Sequence, residues 1–269
     1  MRFDTIDTAT PGIDICTDSQ KGIAFLSIFC YAMQEEGKET MPSSTIRVTI
    51  LDDHQSIIDG YVYRLSSAPG FEIAATIYYG EELEPTMAAH PTDVLLLDIN
   101  VPTSAENANP YPILHSIPSL LERYPNLHIL VISMYAERGL IRAVMEAGAS
   151  GYVLKDDRTM LQDIGNIVLS IVGGGIYFSK KAHQLMLSHK TIPSGEYLST
   201  RQLEALSLCA AYPEWTSADV AKKMSVSHST VRNLLSGAYL RLEVRNRPAA
   251  IAKARQLGLI TPDSPVLTE

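Results

Sequence analysis

The sequence has few of the features that mark secreted and membrane proteins. Its three cysteines, Cys16, Cys30 and Cys209, lie far apart and form no C-x-x-C pair, which argues against a disulfide framework or a zinc ribbon. The longest clearly apolar stretch, residues 22–33, has 12 residues, whereas a membrane-spanning helix needs ~20. It also lacks the basic flank and small-residue cleavage site of a secretory signal. We therefore expect a cytoplasmic protein with no membrane partner.

Acidic side chains dominate the middle of the chain, and basic side chains dominate the end. The 269 residues carry a net charge of −8, which divides into −9 for residues 46–157 and +5 for residues 199–260. A chain of this length, 46% hydrophobic, can bury two separate cores. The uneven charge indicates two domains with different partners, although acidic faces that are merely solvated would give the same count.

Short β-rich runs alternate with longer helical runs between residues 46 and 172. Two of the strands, residues 94–97 and 129–132, are continuously apolar, as strands covered on both faces should be. This alternation predicts a doubly wound, flavodoxin-like (βα)5 domain with a parallel sheet. The predicted strands are residues 47–51, 72–78, 94–97, 128–133 and 151–154, and the predicted helices are residues 55–67, 80–89, 113–123, 137–147 and 159–172.

The strand pattern ends at the three glycines 173–175, and the rest of the chain reads as helix. Ser199, Ser217 and Ser227 are predicted N-caps, and Gly258 is a predicted C-terminal cap. The predicted helices are residues 180–188, 200–211, 217–224, 227–242 and 248–257. The predicted layout is an N-terminal extension (1–45), an α/β domain (46–172), a linker with a short helix (173–195) and a small all-α domain (196–269).

Two interpretations of the N-terminal extension remain open. Met41 directly precedes the first predicted strand, so residues 1–40 could come from a mis-assigned start or form a disordered extension. Alternatively, residues 23–35 form an accessory helix that docks its apolar face. N-terminal sequencing of the natively expressed protein distinguishes the two, because an intact Met1 contradicts a mis-assigned start.

Acidic residues follow the predicted strands that should be neighbours. Asp52 and Asp53 follow the first strand, and Asp98 follows the third. Carboxylates that converge on one sheet edge need a compensating cation, and a divalent ion with oxygen ligands such as Mg²⁺ suits them. Ser133 ends the fourth strand and Lys155 follows the fifth, which would add a hydroxyl and an ammonium. Such a set is suited to phosphoryl transfer onto a carboxylate.

These residues resemble those of the receiver domain of two-component response regulators. The matching segments are I-L-D-D-H (50–54), L-L-L-D-I-N-V-P (95–102), V-I-S-M (131–134) and A-G-A-S-G-Y-V-L-K (147–155). The resemblance implies that Asp98 accepts a phosphoryl group, donated by a cognate sensor histidine kinase. It further implies a Mg²⁺ site formed by Asp53, Asp98, the Asn100 backbone carbonyl and, through water, Asp52. The residues implied to bind the phosphoryl group or to switch are Ser133, Tyr152 and Lys155.

One segment departs from the family pattern. Members of the family usually follow the acceptor strand with a short M-P-x-x-x-G turn into the third helix. Here Val101-Pro102 is followed by T-S-A-E-N-A-N-P-Y-P (103–112), which is several residues longer and lacks the glycine. We expect this extension to affect recognition of the phosphoryl donor and the lifetime of the phosphoryl group.

The last part of the chain resembles the LuxR-type helix-turn-helix of the NarL/FixJ subfamily. The resemblance rests on L-S-T-R-Q-L-E (198–204), D-V-A-K-K-M-S-V-S-H-S-T-V-R-N-L-L (219–235) and the tail 240–260. The second helix of such a unit enters the major groove of a double-stranded DNA operator. We predict base contacts by Arg232 and Asn233. The predicted phosphate contacts are Lys222, Lys223, Ser229, Thr230, Arg245 and Arg247.

These features predict a phosphorylation-controlled transcriptional regulator that forms a homodimer when phosphorylated and is not an enzyme with a separate substrate. An alternative is a DNA-binding regulator with an atypical receiver that works without phosphorylation. A third possibility, an aspartyl-phosphate hydrolase of the haloacid-dehalogenase type, usually has a second Asp two residues after the nucleophile. That position is Asn100 here, and such an enzyme has no use for a helix-turn-helix.

Overall fold

The computed structural model describes residues 45–187 and 198–263. The predicted N-terminal extension up to residue 44 and much of the predicted linker lie outside these residues. The described elements alternate strand and helix up to α6 and are helical afterwards. They are β1 (Ile46–Leu51), α1 (Gln55–Ser66), β2 (Phe71–Ile77), α2 (Leu83–Ala89), β3 (Val94–Asp98), α3 (Ile113–Arg123), β4 (His128–Ser133), α4 (Arg138–Glu146), β5 (Gly151–Leu154), α5 (Arg158–Val172), β6 (Tyr177–Phe178), α6 (Lys180–Leu187), α7 (Thr200–Ala211), α8 (Ser217–Lys223), α9 (His228–Arg241) and α10 (Arg247–Gln256).

The strands form one parallel sheet in the order β2-β1-β3-β4-β5-β6. Every residue of β3, and every residue of β4 except His128, is buried, as the continuously apolar runs 94–97 and 129–132 predict. One core unites a face of the sheet with residues of α1 and α5, including Ile58, Leu65 and Ile164. The other face packs against α2, α3 and α4. Helices therefore cover both faces, and the predicted flavodoxin-like arrangement is confirmed.

The prediction that the strands end at residues 173–175 is wrong. Gly174 has a backbone φ of +88°, a conformation that favours glycine, and the chain after it forms β6 at the edge of the sheet. β6 runs parallel to β5, with Tyr177 opposite Gly151 and Phe178 opposite Tyr152. A two-residue strand has no sequence period, so the alternation of apolar residues could not reveal it.

The long segment between β3 and α3 is folded back on itself. Pro102 and Pro110 form an antiparallel bridge, and the Tyr111 N–H donates to the Val101 carbonyl at 2.9 Å. At its tip, Ser104 and Asn107 exchange backbone hydrogen bonds of 3.1 and 3.2 Å. The extension is thus a hairpin-like loop with its own hydrogen bonds. We call residues 101–112 the β3–α3 loop.

The C-terminal helices surround a core of their own. Its members include Leu206, Val220, Val231 and Ala250, one from each of α7 to α10. The Ser227 hydroxyl caps α9 by accepting from the Thr230 N–H. α8 and α9 are joined by a short turn, which gives the predicted helix-turn-helix.

Two details of these helices bear on the sequence predictions. The predicted cap Ser217 is wrong, because Thr216 is the N-cap of α8 and its hydroxyl accepts from the Asp219 N–H. Gly237 in α9 lies against α7, since a Cβ at that position would come within 2.6 Å of Gln202 Nε2. A glycine inside the helix therefore permits close packing between α7 and α9.

None of the helices in residues 45–187 and 198–263 combines the length and the hydropathy that a membrane span requires.

Candidate functional site

The carboxyl ends of β1, β3 and β5 bring two carboxylates and an ammonium into contact. Lys155 Nζ lies 2.6 Å from Asp52 Oδ2 and 2.7 Å from Asp98 Oδ2. Asp52 and Asp98 are both buried. Parallel strands end at a common edge of the sheet, which explains why residues more than forty positions apart in the sequence meet here. The predicted proximity of Asp52, Asp98 and Lys155 is thus present in the structure.

Burial and the neighbouring charges determine the protonation of this trio. Burial raises the pKa of Asp98, and the Asp52 carboxylate acts in the same direction, whereas Lys155 lowers it. Burial lowers the pKa of Lys155, but Asp98 and Asp52 outweigh that effect and raise it above its ordinary value. Lys155 is therefore charged at neutral pH, and it partly offsets the cost of burying two acids together.

Asp53 lies at the solvent-exposed side of this edge, beside a histidine. His54 Nδ1 is 2.8 Å from Asp53 Oδ1 and 3.3 Å from Asp52 Oδ1. One potential ligand atom from each of these three residues lies within 4.8 Å of the others. The Asn100 N–H donates to Asp98 Oδ1 at 3.2 Å, which puts the Asn100 backbone beside the same carboxylate. Carboxylate oxygens at this spacing are compatible with binding a divalent cation.

The predicted switch residues are both buried, and both contact Tyr135 in the β4–α4 loop. The Ser133 hydroxyl accepts from the Tyr135 N–H at 3.2 Å. The Tyr152 hydroxyl donates to the Tyr135 carbonyl at 2.7 Å. Burial raises the pKa of the Tyr152 hydroxyl, so this hydroxyl stays protonated and keeps its hydrogen bond at physiological pH. Tyr135 is thus held by both of its backbone polar groups.

Most of the predicted DNA contacts have exposed side chains in the C-terminal domain. Arg247 is different, because it is half-buried and its guanidinium donates to the Trp215 carbonyl at 2.8 Å. The side chains of the other predicted contacts are exposed: Lys222, Lys223, Ser229, Thr230, Arg232, Asn233 and Arg245. Their accessibility agrees with a role in binding a macromolecule, and their individual roles stay predictions.

Sequence reasoning missed some residues that the structure places at or near the site. His54 stands inside the quoted I-L-D-D-H segment, so its proximity to Asp53 could have been read from adjacency alone. Tyr135 follows the predicted switch Ser133 by two residues, but its contacts come from distant parts of the chain. Its hydroxyl donates to the Asp263 carbonyl, a contact across 128 residues that no local pattern encodes.

Comparisons with known proteins agree with this geometry. Residues 48–164 match the response regulator receiver domain. The transcriptional regulatory protein DegU of Brevibacillus brevis is 26% identical over 242 residues, which cover 82% of this chain and 98% of DegU. The oxygen regulatory protein NreC of Staphylococcus haemolyticus is 26% identical over 228 residues, which cover 80% of this chain and 99% of NreC.

A solved structure has a similar fold over both parts of the chain. It is RcsB from Salmonella enterica serovar Typhimurium, bound to the promoter rprA in the presence of the phosphomimetic BeF3⁻. It is 21% identical, covers 78% of this chain and 98% of RcsB, and superimposes with a TM-score of 0.53. Residues 48–164 therefore match a response regulator receiver domain, and a helix-turn-helix follows it in the chain. Over most of its length the chain is similar to DegU and NreC, and the order of its two domains resembles that of response regulators of the NarL/FixJ type.

Proposed function

We propose that the chain is a DNA-binding transcriptional regulator controlled by phosphorylation of Asp98. One observation carries the proposal: Lys155 Nζ contacts the buried carboxylates of Asp52 and Asp98 at 2.6 and 2.7 Å. A lysine that bridges two acids at the end of a parallel sheet is poised to pair with phosphoryl oxygens. The full-length relative DegU is a transcriptional regulatory protein, which supports the regulatory role.

The reaction at Asp98 is a transfer of a phosphoryl group between two nucleophiles. An Asp98 carboxylate oxygen attacks phosphorus, and the P–N bond to a phosphohistidine of a sensor histidine kinase breaks. The histidine ring leaves with the electron pair and takes up a proton. Lys155 neutralises charge on the phosphoryl oxygens, and the acyl phosphate remains on Asp98. The receiver supplies this chemistry itself and needs no separate substrate pocket.

The donor atoms at this edge fit Mg²⁺, which prefers oxygen ligands. The Asp53 and Asp98 carboxylates and the Asn100 backbone carbonyl would hold the ion directly, and Asp52 would hold it through water. The bound ion would neutralise part of the negative charge shared by the acids and the phosphoryl group. The exposed position of Asp53 beside the buried Asp98 gives such an ion a path from solvent.

Ser133 is the residue that responds to the phosphoryl group on Asp98. Its hydroxyl now accepts from the Tyr135 N–H at 3.2 Å, and a phosphoryl group on Asp98 offers stronger, charged oxygens to which it can donate. A move of Ser133 toward Asp98 would loosen its hold on Tyr135. Tyr152, whose hydroxyl donates to the Tyr135 carbonyl, is then free to change position. This is how we propose that phosphorylation reshapes the surface around α4.

The C-terminal domain is proposed to bind a double-stranded DNA operator with α9 in the major groove. Arg232 and Asn233 contact base edges. Phosphates are bound by the residues Lys222, Lys223, Ser229, Thr230, Arg245 and Arg247. A single helix-turn-helix reads one half-site, so a palindromic operator requires a homodimer. We propose that phosphorylation favours this dimer.

The test uses beryllofluoride and acetyl phosphate on the full chain. Both should act on the wild type in the presence of Mg²⁺, and neither should act on Asp98→Asn. The matched control Asp59→Asn, at an exposed position in α1, should behave like the wild type. Modification that persists in Asp98→Asn, or that a chelator leaves unchanged, would contradict the proposal.

A further inference from the structure

The C-terminal domain contacts the receiver domain at the β3–α3 loop and at the segment before α2. Asn107 Nδ2 donates to the Ala211 carbonyl at 2.9 Å, and the Tyr212 hydroxyl donates to Glu81 Oε1 at 2.8 Å. The described residues belong to one compact unit. These contacts join the tip of the loop and the segment before α2 to the C-terminal end of α7.

A second group of contacts joins the receiver to the segment after α10. The Thr261 hydroxyl donates to the Tyr111 carbonyl at 3.2 Å in a buried position, and the Tyr135 hydroxyl donates to the Asp263 carbonyl. Gly139, in the first turn of α4, lies against Leu257. We call the receiver residues in these contacts the docking face: Glu81, Asn107, Tyr111, Tyr135 and Gly139.

At Gly139 the backbones of the two domains lie close together. A Cβ added there would lie 2.6 Å from the Leu257 carbonyl oxygen, which belongs to the backbone of the other domain. Alanine is a better helix former than glycine, so the helix itself gives no reason for a glycine at this position. The close approach of the C-terminal domain does give a reason.

The contacted segments of the C-terminal domain lie at the end of α7 and after α10. The predicted DNA contacts on α8 and α9, such as Lys223 and Arg232, are exposed. Arg247 of α10 is the exception, because it is half-buried and lines a cavity together with Asn109 of the β3–α3 loop. The docking contacts are hydrogen bonds and close backbone packing. None of the docking contacts named above is an ion pair, and Arg232 remains exposed.

The contact is also imperfectly packed. Ser207 Oγ and Arg255 Nε are buried with no hydrogen-bond partner among the described residues. Both residues line a small gap beside Pro110 and Pro112. Buried polar atoms without partners weaken a contact, because separation would return them to water. A modest steric change should therefore be enough to separate the domains.

We propose that the docking face holds the C-terminal domain in an orientation that leaves its DNA-binding side exposed to solvent. The chain can therefore bind DNA while the two domains are docked. This inference rests on the DNA-binding function proposed above. The β3–α3 loop then serves as an intramolecular interface. It fixes the orientation of the DNA-binding domain, and undocking is not a precondition for contact with DNA.

The first measurement tests whether the two domains are docked in solution. Hydrogen exchange is compared among the full-length wild type, Gly139→Ala and the control Gly60→Ala, whose Cβ would meet only Leu161 at an ordinary 3.9 Å. Gly139→Ala should speed exchange around Asn107 and Tyr212, which lie far from the substitution in sequence. Gly60→Ala should leave exchange there unchanged. Unaltered exchange around Asn107 and Tyr212 in Gly139→Ala would show that the two domains are not docked in solution.

A double variant approaches the same contact from the other side. Asn107→Ala with Tyr212→Phe removes two interdomain hydrogen bonds and leaves α4 intact, and the phenylalanine keeps the stacking of residue 212 on Trp215. It should loosen the segment after α10, residues 257–261, as Gly139→Ala does. Exchange at residues 257–261 that stays at the wild-type rate would show that these hydrogen bonds do not hold the domain.

The second measurement asks whether docking hides the DNA-binding side. The probe is a mixed-sequence DNA duplex at low salt. If docking blocked binding and most molecules were docked, undocking would raise the apparent affinity by about tenfold or more. We expect wild type, Gly139→Ala and the double variant to bind within about twofold of one another. Tighter binding by both undocked variants would overturn the inference and leave the DNA-binding function intact. Absence of binding by every variant would overturn the DNA-binding function itself.

Discussion

His115 in α3 is a half-buried titratable residue with no part in the phosphoryl chemistry. Its Nε2 is buried and has no hydrogen-bond partner among the described residues. Burial lowers the pKa of His115 from 6.5 to about 4. The folded protein therefore holds a neutral histidine in a pH range where the unfolded chain binds a proton.

The resulting prediction concerns stability in mild acid. Because the unfolded state binds the extra proton below pH 6.5, His115 should lower the free energy of unfolding as the pH falls from 6.5 towards 4. The pKa difference corresponds to a loss of about 3 kcal/mol across that window. Urea unfolding of the wild type and His115→Gln at pH 7.5 and pH 5 measures the part of this loss above pH 5, which is about 2 kcal/mol. A loss of stability that is equal in both proteins would show that His115 is not its source.

Among single residues, the positions of the acids at the sheet edge could be predicted from the sequence, but the contacts of Tyr135 could not. Asp52, Asp98 and Lys155 each follow an apolar run, and a parallel sheet brings the carboxyl ends of such runs together. Tyr135 sits in a loop, and its contact with Asp263 depends on how the second domain docks. The pattern of apolar residues indicates which side of a strand or helix is buried. It does not indicate how one domain docks on another.

Among the helices, α8 shows how a single cap determines where a helix begins. The Thr216 hydroxyl accepts from the Asp219 N–H, and Asp219 Oδ2 accepts from the Thr216 N–H at 2.8 Å. These reciprocal bonds satisfy backbone donors that the first turn leaves free. The bonds from Thr216 lower the pKa of Asp219 below its ordinary value, so the carboxylate stays charged at neutral pH.

Thr216→Ala should therefore destabilise the C-terminal domain by about 1 kcal/mol. Its neighbour Ser217, in the first turn of the same helix, supplies the matched control. Ser217→Ala should change stability by less than about 0.5 kcal/mol, because it removes no cap. Thermal unfolding of the two variants distinguishes the residues. A larger loss in Ser217→Ala would place the cap at Ser217 after all.

Predictions of the elements succeeded where the apolar period was long and failed where an element was short. The helices α3 and α7 have the predicted bounds, because apolar residues recur on one face of each. β6 has two residues and depends on the edge that β5 offers. The Ser217 cap failed because Thr216 and Ser217 are adjacent and chemically alike, and only the observed hydrogen bonds distinguish them.

In the whole molecule, the uneven distribution of charge is a better guide to external binding partners than to the contact between the two domains. Residues 46–157 carry −9 and residues 199–260 carry +5. The interdomain contacts nevertheless include hydrogen bonds between neutral groups, such as that from Asn107 to the Ala211 carbonyl, and the Glu81 carboxylate accepts from the neutral Tyr212 hydroxyl. The basic charges remain exposed on α8 and α9, where they are available to an external polyanion. Affinity for DNA that rests on such charges falls steeply with salt, because binding releases counterions.

Lys223 and Arg232 should therefore affect DNA binding in different ways. Lys223→Ala should weaken binding to all sequences about equally and reduce the slope of log affinity against log salt by about 1. Arg232→Ala should cost about 1–3 kcal/mol on a preferred sequence and much less on others. Binding is measured over a salt series with a duplex selected from a randomised pool and with a scrambled duplex of equal length.

The matched control is Lys253→Ala, which removes an exposed lysine from α10 of the same domain. Its net charge change equals that of Lys223→Ala, so any general effect of charge appears in both variants. The salt slope of Lys253→Ala should equal that of the wild type, because only a cation that displaces counterions at the DNA contributes to the slope. Equal slopes for Lys223→Ala and Lys253→Ala would show that Lys223 does not bind a DNA phosphate. A sequence-selective Lys223 beside a neutral Arg232 would show that α9 is not the helix that reads the DNA.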